Sequence, residues 1–241
     1  MKERIYTIEL NDAFDADTEC PICTFLELEE QKRIDYTVGA SMMEPDCREE
    51  TNQKGFCRRH MAKILETPNK LSVALMLETH MDAVLKQLND GKSALPTPKR
   101  RMFQKADALK EAVLLQADTL SNINQSCAVC DWLFSTLSHF MENLFYLYET
   151  EPEFQKKVLA CKGFCVPHFE LLLRSAVKYQ KDQKLSDFVN AMYDIQTAQF
   201  ARVKDDLSWF GKKFDYRYRD ADWKNSKDAL PRSAQKLISH P

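Results

Sequence analysis

Glycine is nearly missing from this 241-residue chain, which has five. The sequence has no glycine-rich loop ahead of Lys-Ser/Thr to cradle a phosphate and no Gly-x-Ser-x-Gly elbow for a hydrolase serine. His-Glu-x-x-His, the helical zinc-protease signature, is absent as well. No series of stretches alternates apolar and polar residues between turn formers, so helix is expected over nearly the whole chain. An excess of one charge is also lacking. The 34 Lys and Arg face 36 Asp and Glu, for a net charge of −2, and the chain as a whole has no pull on nucleic acid or anionic lipid. The opening "MKERIYTIELNDAFDADTEC" holds no apolar stretch of the length a secretory signal needs, and no uninterrupted apolar run is long enough to cross a bilayer. A cytoplasmic protein without a membrane partner is expected.

With 44% apolar and 29% charged residues, the chain has the composition of an ordered globular protein, long enough to bury a core without disulfides. Its eight cysteines therefore call for another explanation. Cys20 and Cys23 stand two residues apart, as do Cys57 and His60. About a hundred residues later Cys127 and Cys130 are followed by Cys165 and His168. The gaps between the pairs are 33 and 34 residues, and each second pair sits in a Lys-Gly-Phe-Cys-x2-His run, at 54–60 and 162–168. Glu44-Pro45-Asp46 in the first half matches Glu151-Pro152-Glu153 in the second, so the duplication extends beyond the cysteines and histidines. In a reducing compartment, thiols paired at this spacing and joined by histidine point to metal rather than to disulfides.

The expected fold is all-α, a helical pseudo-duplicate with two metal-stapled repeats. A first repeat over 1–90 and a second over 126–215 flank a linker and connecting helix at 91–125, and a tail follows at 216–241. Residues 71–88 carry Leu71, Ala74, Leu75, Met81, Val84, Leu85 and Leu88 at helical spacing, with Asn69 as a cap. Residues 185–210 carry a second stripe of Leu185, Phe188, Val189, Met192, Ile195, Val203, Leu207 and Phe210, with a polar opposite face. Thr150-Glu151-Pro152-Glu153 has the form of a capping box. The turn-rich segment 89–101 ends in Lys99-Arg100-Arg101, a charge cluster that suits a solvated linker. A helix from about Met102 to Ile123 follows it. The tail loses apolar periodicity and is expected to lie over the surface or fray, with Trp223 placed to anchor it.

A Cys-x2-Cys turn grips one ion with two sulfurs, and Cys-x2-His at a helix start does the same from the other side. Together they form a tetrahedral Cys3His set suited to zinc, and two ions per chain are expected. Helix N-termini favour thiolates at such positions. Three thiolates and Zn²⁺ sum to −1, which Arg58, Arg59 and Lys162 are placed to offset. The four ligands of each site are expected to come from one repeat. The alternative exchanges them, Cys20 and Cys23 meeting Cys165 and His168 while Cys127 and Cys130 meet Cys57 and His60. An iron–sulfur cluster is the alternative cofactor, with Cys161 as a spare sulfur. Cys47, Cys161, His80 and His139 have no spaced partner and read as structural residues, and the aromatic face of 132–148 reads as core.

Cys-Pro-Ile-Cys at 20–23, "MEPDCREETNQKGFCRRH" at 43–60, "VALMLETH" at 73–80 and "KNSKDALPR" at 224–232 together resemble an uncharacterised bacterial family classed as a domain of unknown function, over nearly the full length. The resemblance implies the recurrent Cys/His pattern and a helical cytoplasmic protein. It implies no activity. Closed four-ligand sites favour a structural or interaction scaffold that serves a protein or small-molecule partner, because catalytic zinc keeps a position for water. The alternative is a redox or iron–sulfur enzyme. A thioredoxin-like use of Cys20 and Cys23 lacks its βαβ context. Nucleic-acid binding is not expected, since the gaps far exceed those of a ββα finger and the chain is not basic.

Overall fold

The computed structural model describes residues 6–96 and 104–239. Among them the regular structure is helical, with no β-strand. The α-helices are α1 (Thr7–Asp15), α2 (Pro21–Val38), α3 (Pro45–Lys54), α4 (Arg58–Glu66), α5 (Lys70–Ala94), α6 (Gln104–Gln125), α7 (Ala128–Thr150), α8 (Pro152–Ala160), α9 (Val166–Tyr179), α10 (Asp182–Lys212) and α11 (Ala229–Ile238). Proline opens α2, α3 and α8, where its missing N–H costs nothing and its fixed φ suits the first helical turn. Asn69 caps α5 as expected, its side chain accepting from the Ser72 N–H at 3.4 Å. The cap of α8 differs from expectation. Glu151 is its N-cap with no side-chain bond, because α7 runs through Thr150, whose hydroxyl donates back to the Tyr146 carbonyl.

The chain forms two compact units. The first comprises Met1–Leu28 and Thr136–Pro241, the second Glu29–Ser135. Their boundaries fall inside α2 and α7, so the units interleave along the chain where the sequence suggested consecutive segments. Helix lengths explain the difference. The 18 residues of α2 rise about 27 Å, while the return through the 10 residues of α3 covers about 15 Å. The Cys57–His60 pair therefore belongs to a different unit from the Cys20–Cys23 pair that begins its repeat.

In the first unit Ile22, Phe25, Phe140, Leu144, Phe154 and Phe188 form the buried core. Phe25 and Phe140 lie 4.3 Å apart between ring centroids, and Phe14 meets Phe154 edge-on at 5.3 Å. The aromatic face of α7 is thus core from Phe140 to Leu147. The stripe read on α10 also faces inward, with Phe188, Met192 and Val203 buried. The C-terminal segment corrects the expectation of a surface tail. It forms α11 with Ala229 and Lys236 buried, and Trp223 packs against Phe210 at 5.8 Å. Its apolar periodicity is weak because a lysine, Lys236, is one of the two buried residues of the helix.

In the second unit Ile34, Val38, Ile64, Val73, Met76 and Val129 form a smaller core. Helix α5 exists as read, but the buried face differs. Leu71, Met81 and Leu85 are 69%, 69% and 57% exposed, while Ser72, Val73 and Met76 are buried against α3 and α4. The basic cluster at 99–101 lies outside the described residues.

Candidate metal centres

All four ligand pairs sit at helix N-termini, as their spacing predicts. Cys20 precedes α2 and Cys23 lies in its first turn; Cys127 and Cys130 stand likewise at α7. Cys57 is the N-cap of α4 and Cys165 the N-cap of α9, which places His60 and His168 one turn inside. Gly55 and Gly163 precede these caps with φ of +58° and +77°. Their left-handed backbone lets the chain reverse into each helix, which explains the recurrent Gly-Phe-Cys. The convergent helix termini favour thiolate by about 0.3–1 kcal/mol each.

The structure combines the pairs across the two halves of the sequence. Cys20, Cys23, Cys165 and His168 form one group and Cys57, His60, Cys127 and Cys130 the other, with the donor atoms of each group within 4.8 Å of one another. The expected within-repeat sets are therefore corrected to exchanged sets. Each set falls wholly inside one unit. In the first, Cys165 Sγ is 3.8 Å from Cys20 Sγ and 3.7 Å from Cys23 Sγ, and His168 Nδ1 is 3.5, 3.3 and 3.2 Å from the sulfurs of Cys20, Cys23 and Cys165. In the second, Cys57 and Cys130 Sγ are 3.8 Å apart. His60 Nδ1 lies 3.3, 3.2 and 3.3 Å from the sulfurs of Cys57, Cys127 and Cys130. A regular tetrahedron with metal–sulfur bonds near 2.3 Å and a metal–nitrogen bond near 2.05 Å has S–S edges of about 3.8 Å and S–N edges of about 3.6 Å. Both groups match that figure, slightly tighter on the nitrogen side. Each can hold one metal ion.

The protonation pattern reflects donors crowded together. Burial pushes the Cys20 thiol well up, and hydrogen bonds from Cys165 and Cys20 push Cys23 far down. Burial opposes a charged His168, but the adjacent sulfurs of Cys165 and Cys23 raise it to about 9. In the second group burial and the neighbouring Cys127 raise Cys130 to about 12. Burial also works to raise Cys57, but the backbone N–H groups of His60 and Arg59 and the Cys130 thiol outweigh it, so Cys57 falls. Metal ligation requires thiolates and a neutral imidazole, so an incoming cation releases the protons these groups hold.

The surroundings of the two groups differ. His60 Nε2 faces Glu30 Oε1 at 2.9 Å, and neither atom has a hydrogen bond elsewhere. Glu30 is 2% exposed, and its other oxygen accepts from Arg59 at 2.7 Å and Lys63 at 2.9 Å. Burial raises its carboxyl, but these two cations more than compensate and keep it ionised. This is the carboxylate–histidine arrangement that orients a metal-binding ring. Sequence reasoning missed it, because Glu30 stands thirty positions before His60 within Glu27-Leu28-Glu29-Glu30. Arg59 takes an outer position through Glu30, as expected; Arg58 is exposed.

Around the first group, Lys236 is 1% exposed and donates to the Glu19 carbonyl at 2.7 Å and to the Lys162 carbonyl. Glu19 also binds Arg202 at 2.6 and 2.8 Å. Ser239 Oγ meets Cys23 Sγ at 3.2 Å. The Lys162 ammonium, which the sequence placed near the thiolates, pairs with Asp17 instead. Gln196 clamps Phe164, accepting from its N–H at 2.9 Å and donating to its carbonyl at 2.8 Å.

Cys47 and Cys161 lie outside both groups. Cys47 pairs with Ser41 Oγ at 3.1 Å, and Cys161 accepts from the Gly163 N–H at 3.3 Å. His80 packs on Gly55 and faces the Asn52 carbonyl at 2.8 Å, a structural role; His139 is exposed. No helix of the described residues is long and apolar enough to cross a membrane. No curated protein and no solved structure matches the chain. The family described as "Family of unknown function (DUF6062)" matches residues 1–241, and the chain belongs to it.

Proposed function

We propose that this protein is a cytoplasmic helical scaffold stapled by two zinc ions, one in each Cys3His group, which offers its helical surface to a protein or small-molecule partner. The observation that carries this reading is the agreement of the S–S separations, 3.7–3.8 Å, with the edges of a single-ion tetrahedron. Three thiolates and one imidazole suit zinc, and four protein ligands leave no position for a substrate or water. The ion then supplies folding energy, and α2, α4, α7 and α9 are held by their N-termini. A reducing compartment fits the thiol-rich ligand sets. The parallel placement of Gly-Phe-Cys-x2-His at the starts of α4 and α9 supports descent from one duplicated module.

An iron–sulfur cluster, and with it a redox enzyme, is the reading the spacing supports less. A cluster spreads its four protein ligands over two or four iron atoms bridged by sulfide, which holds donors on different irons further apart than one tetrahedral edge. Elemental analysis of anaerobically purified protein with its visible spectrum tests the proposal. Two zinc per chain without colour is expected, falling to one in Cys57→Ser or Cys165→Ser. Iron with sulfide and a brown colour would overturn it.

A further inference from the structure

The two ligand groups have the same chemistry but different access. In the first unit Cys20, Cys23 and Cys165 are 0%, 3% and 0% exposed. Ser239 stands over Cys23, and α11 buries Lys236 beside Cys20. In the second unit Cys127 and His60 are buried, whereas Cys130 is exposed and Cys57 half-buried. One edge of that tetrahedron therefore reaches solvent. It is the edge joining two sulfurs, Cys57 and Cys130, 3.8 Å apart.

Oxidation of sulfur follows thiolate character and exposure. A metal-bound thiolate keeps its nucleophilic electron pair, so the barrier to attack on a peroxide is mainly access. Resting on the metal-site reading above, we infer that the second unit carries a peroxide-sensitive zinc site whose reacting pair is Cys130 and Cys57, while the first unit holds a permanent staple. The chemistry balances in two steps. The Cys130 thiolate attacks one oxygen of hydrogen peroxide, the O–O bond breaks, and Cys130 becomes a sulfenic acid as hydroxide leaves. The Cys57 thiolate then attacks the Cys130 sulfur, a disulfide forms and a second hydroxide leaves. Two thiolates have lost two electrons and one peroxide has gained them. The ion keeps only His60 and Cys127, too few to hold it, and departs. A dithiol reductant reverses the step by returning both electrons, and the four donors can bind zinc again.

The full-length, zinc-loaded protein contains its own control, because both sites see the same oxidant. Zinc is counted first by elemental analysis. The protein is then titrated with hydrogen peroxide while a chromogenic chelator reports free zinc, and disulfides are mapped by mass spectrometry after free thiols are alkylated. One equivalent of zinc is expected to appear at least about tenfold faster than the second, on the strength of exposure alone. It should appear together with a Cys57–Cys130 disulfide and return to the protein after dithiothreitol. Absence of zinc at the outset would overturn the metal-site reading and this inference together. Two zinc that leave at the same rate, or a first disulfide that omits Cys57 or Cys130, would overturn this inference alone.

Discussion

Glu30→Ala should weaken metal binding in the second unit and leave the first untouched. With Nδ1 of His60 turned to the three sulfurs, Nε2 carries the ring proton, and the Glu30 carboxylate 2.9 Å away is its partner. Removing the carboxylate frees the ring to rotate, lowers its basicity and leaves a buried N–H unpaired. Loss of such a partner costs about 10–100-fold in metal affinity, or about 1.4–2.8 kcal/mol. Arg59 and Lys63 add little to that figure, since at 57% and 41% exposure both regain water when Glu30 is gone. Glu30→Gln keeps an acceptor for the ring but loses its charge, so it should fall nearer the tenfold end. Competition against a chelator of known affinity measures this directly, with the first-unit ion as internal reference. Unchanged affinity in Glu30→Ala, or an equal loss at both sites, would refute the argument that this carboxylate positions His60.

Gly55→Ala forces a side chain onto φ +58°, ψ −151° and into the His80 ring; a loss of about 1–3 kcal/mol is expected from the backbone alone, read by urea denaturation. Gln196→Ala strands the buried N–H and C=O of Phe164, at about 1–3 kcal/mol for each, and should loosen the ion held by Cys165 and His168 more than its counterpart. Complete removal of metal by a chelator should lower the thermal midpoint sharply, because binding energy at such sites is folding energy. An unchanged midpoint after verified removal would count against the staple role.

What could be read from the sequence was what depends on local spacing. Five glycines and 3.6-residue periodicity suffice for an all-α chain, and the paired Cys and His suffice to nominate all eight donors. Pairing of the donors was not local. Whether Cys57 meets Cys23 or Cys130 depends on how far α2 carries the chain and whether the return leg is helical or extended, and residues 45–54 proved helical. The buried face of α5 departs from its apolar stripe because Leu71, Met81 and Leu85 are apolar yet exposed, while the buried positions include Ser72, whose N–H is taken by the Asn69 cap. Helix α11 has no legible apolar stripe because Lys236 takes a core position, made tolerable by the carbonyls of Glu19 and Lys162 and the Glu19 carboxylate. None of these partners lies near it in sequence.

The exchanged pairing is the central claim, and the zinc content of two double variants tests it most directly. Cys20→Ser with Cys165→Ser removes two ligands of one ion in the structure, so one zinc per chain should remain. Cys20→Ser with Cys57→Ser strikes both ions, and none should remain tightly bound. Within-repeat sites would give the opposite result, with none left in the first variant and one in the second.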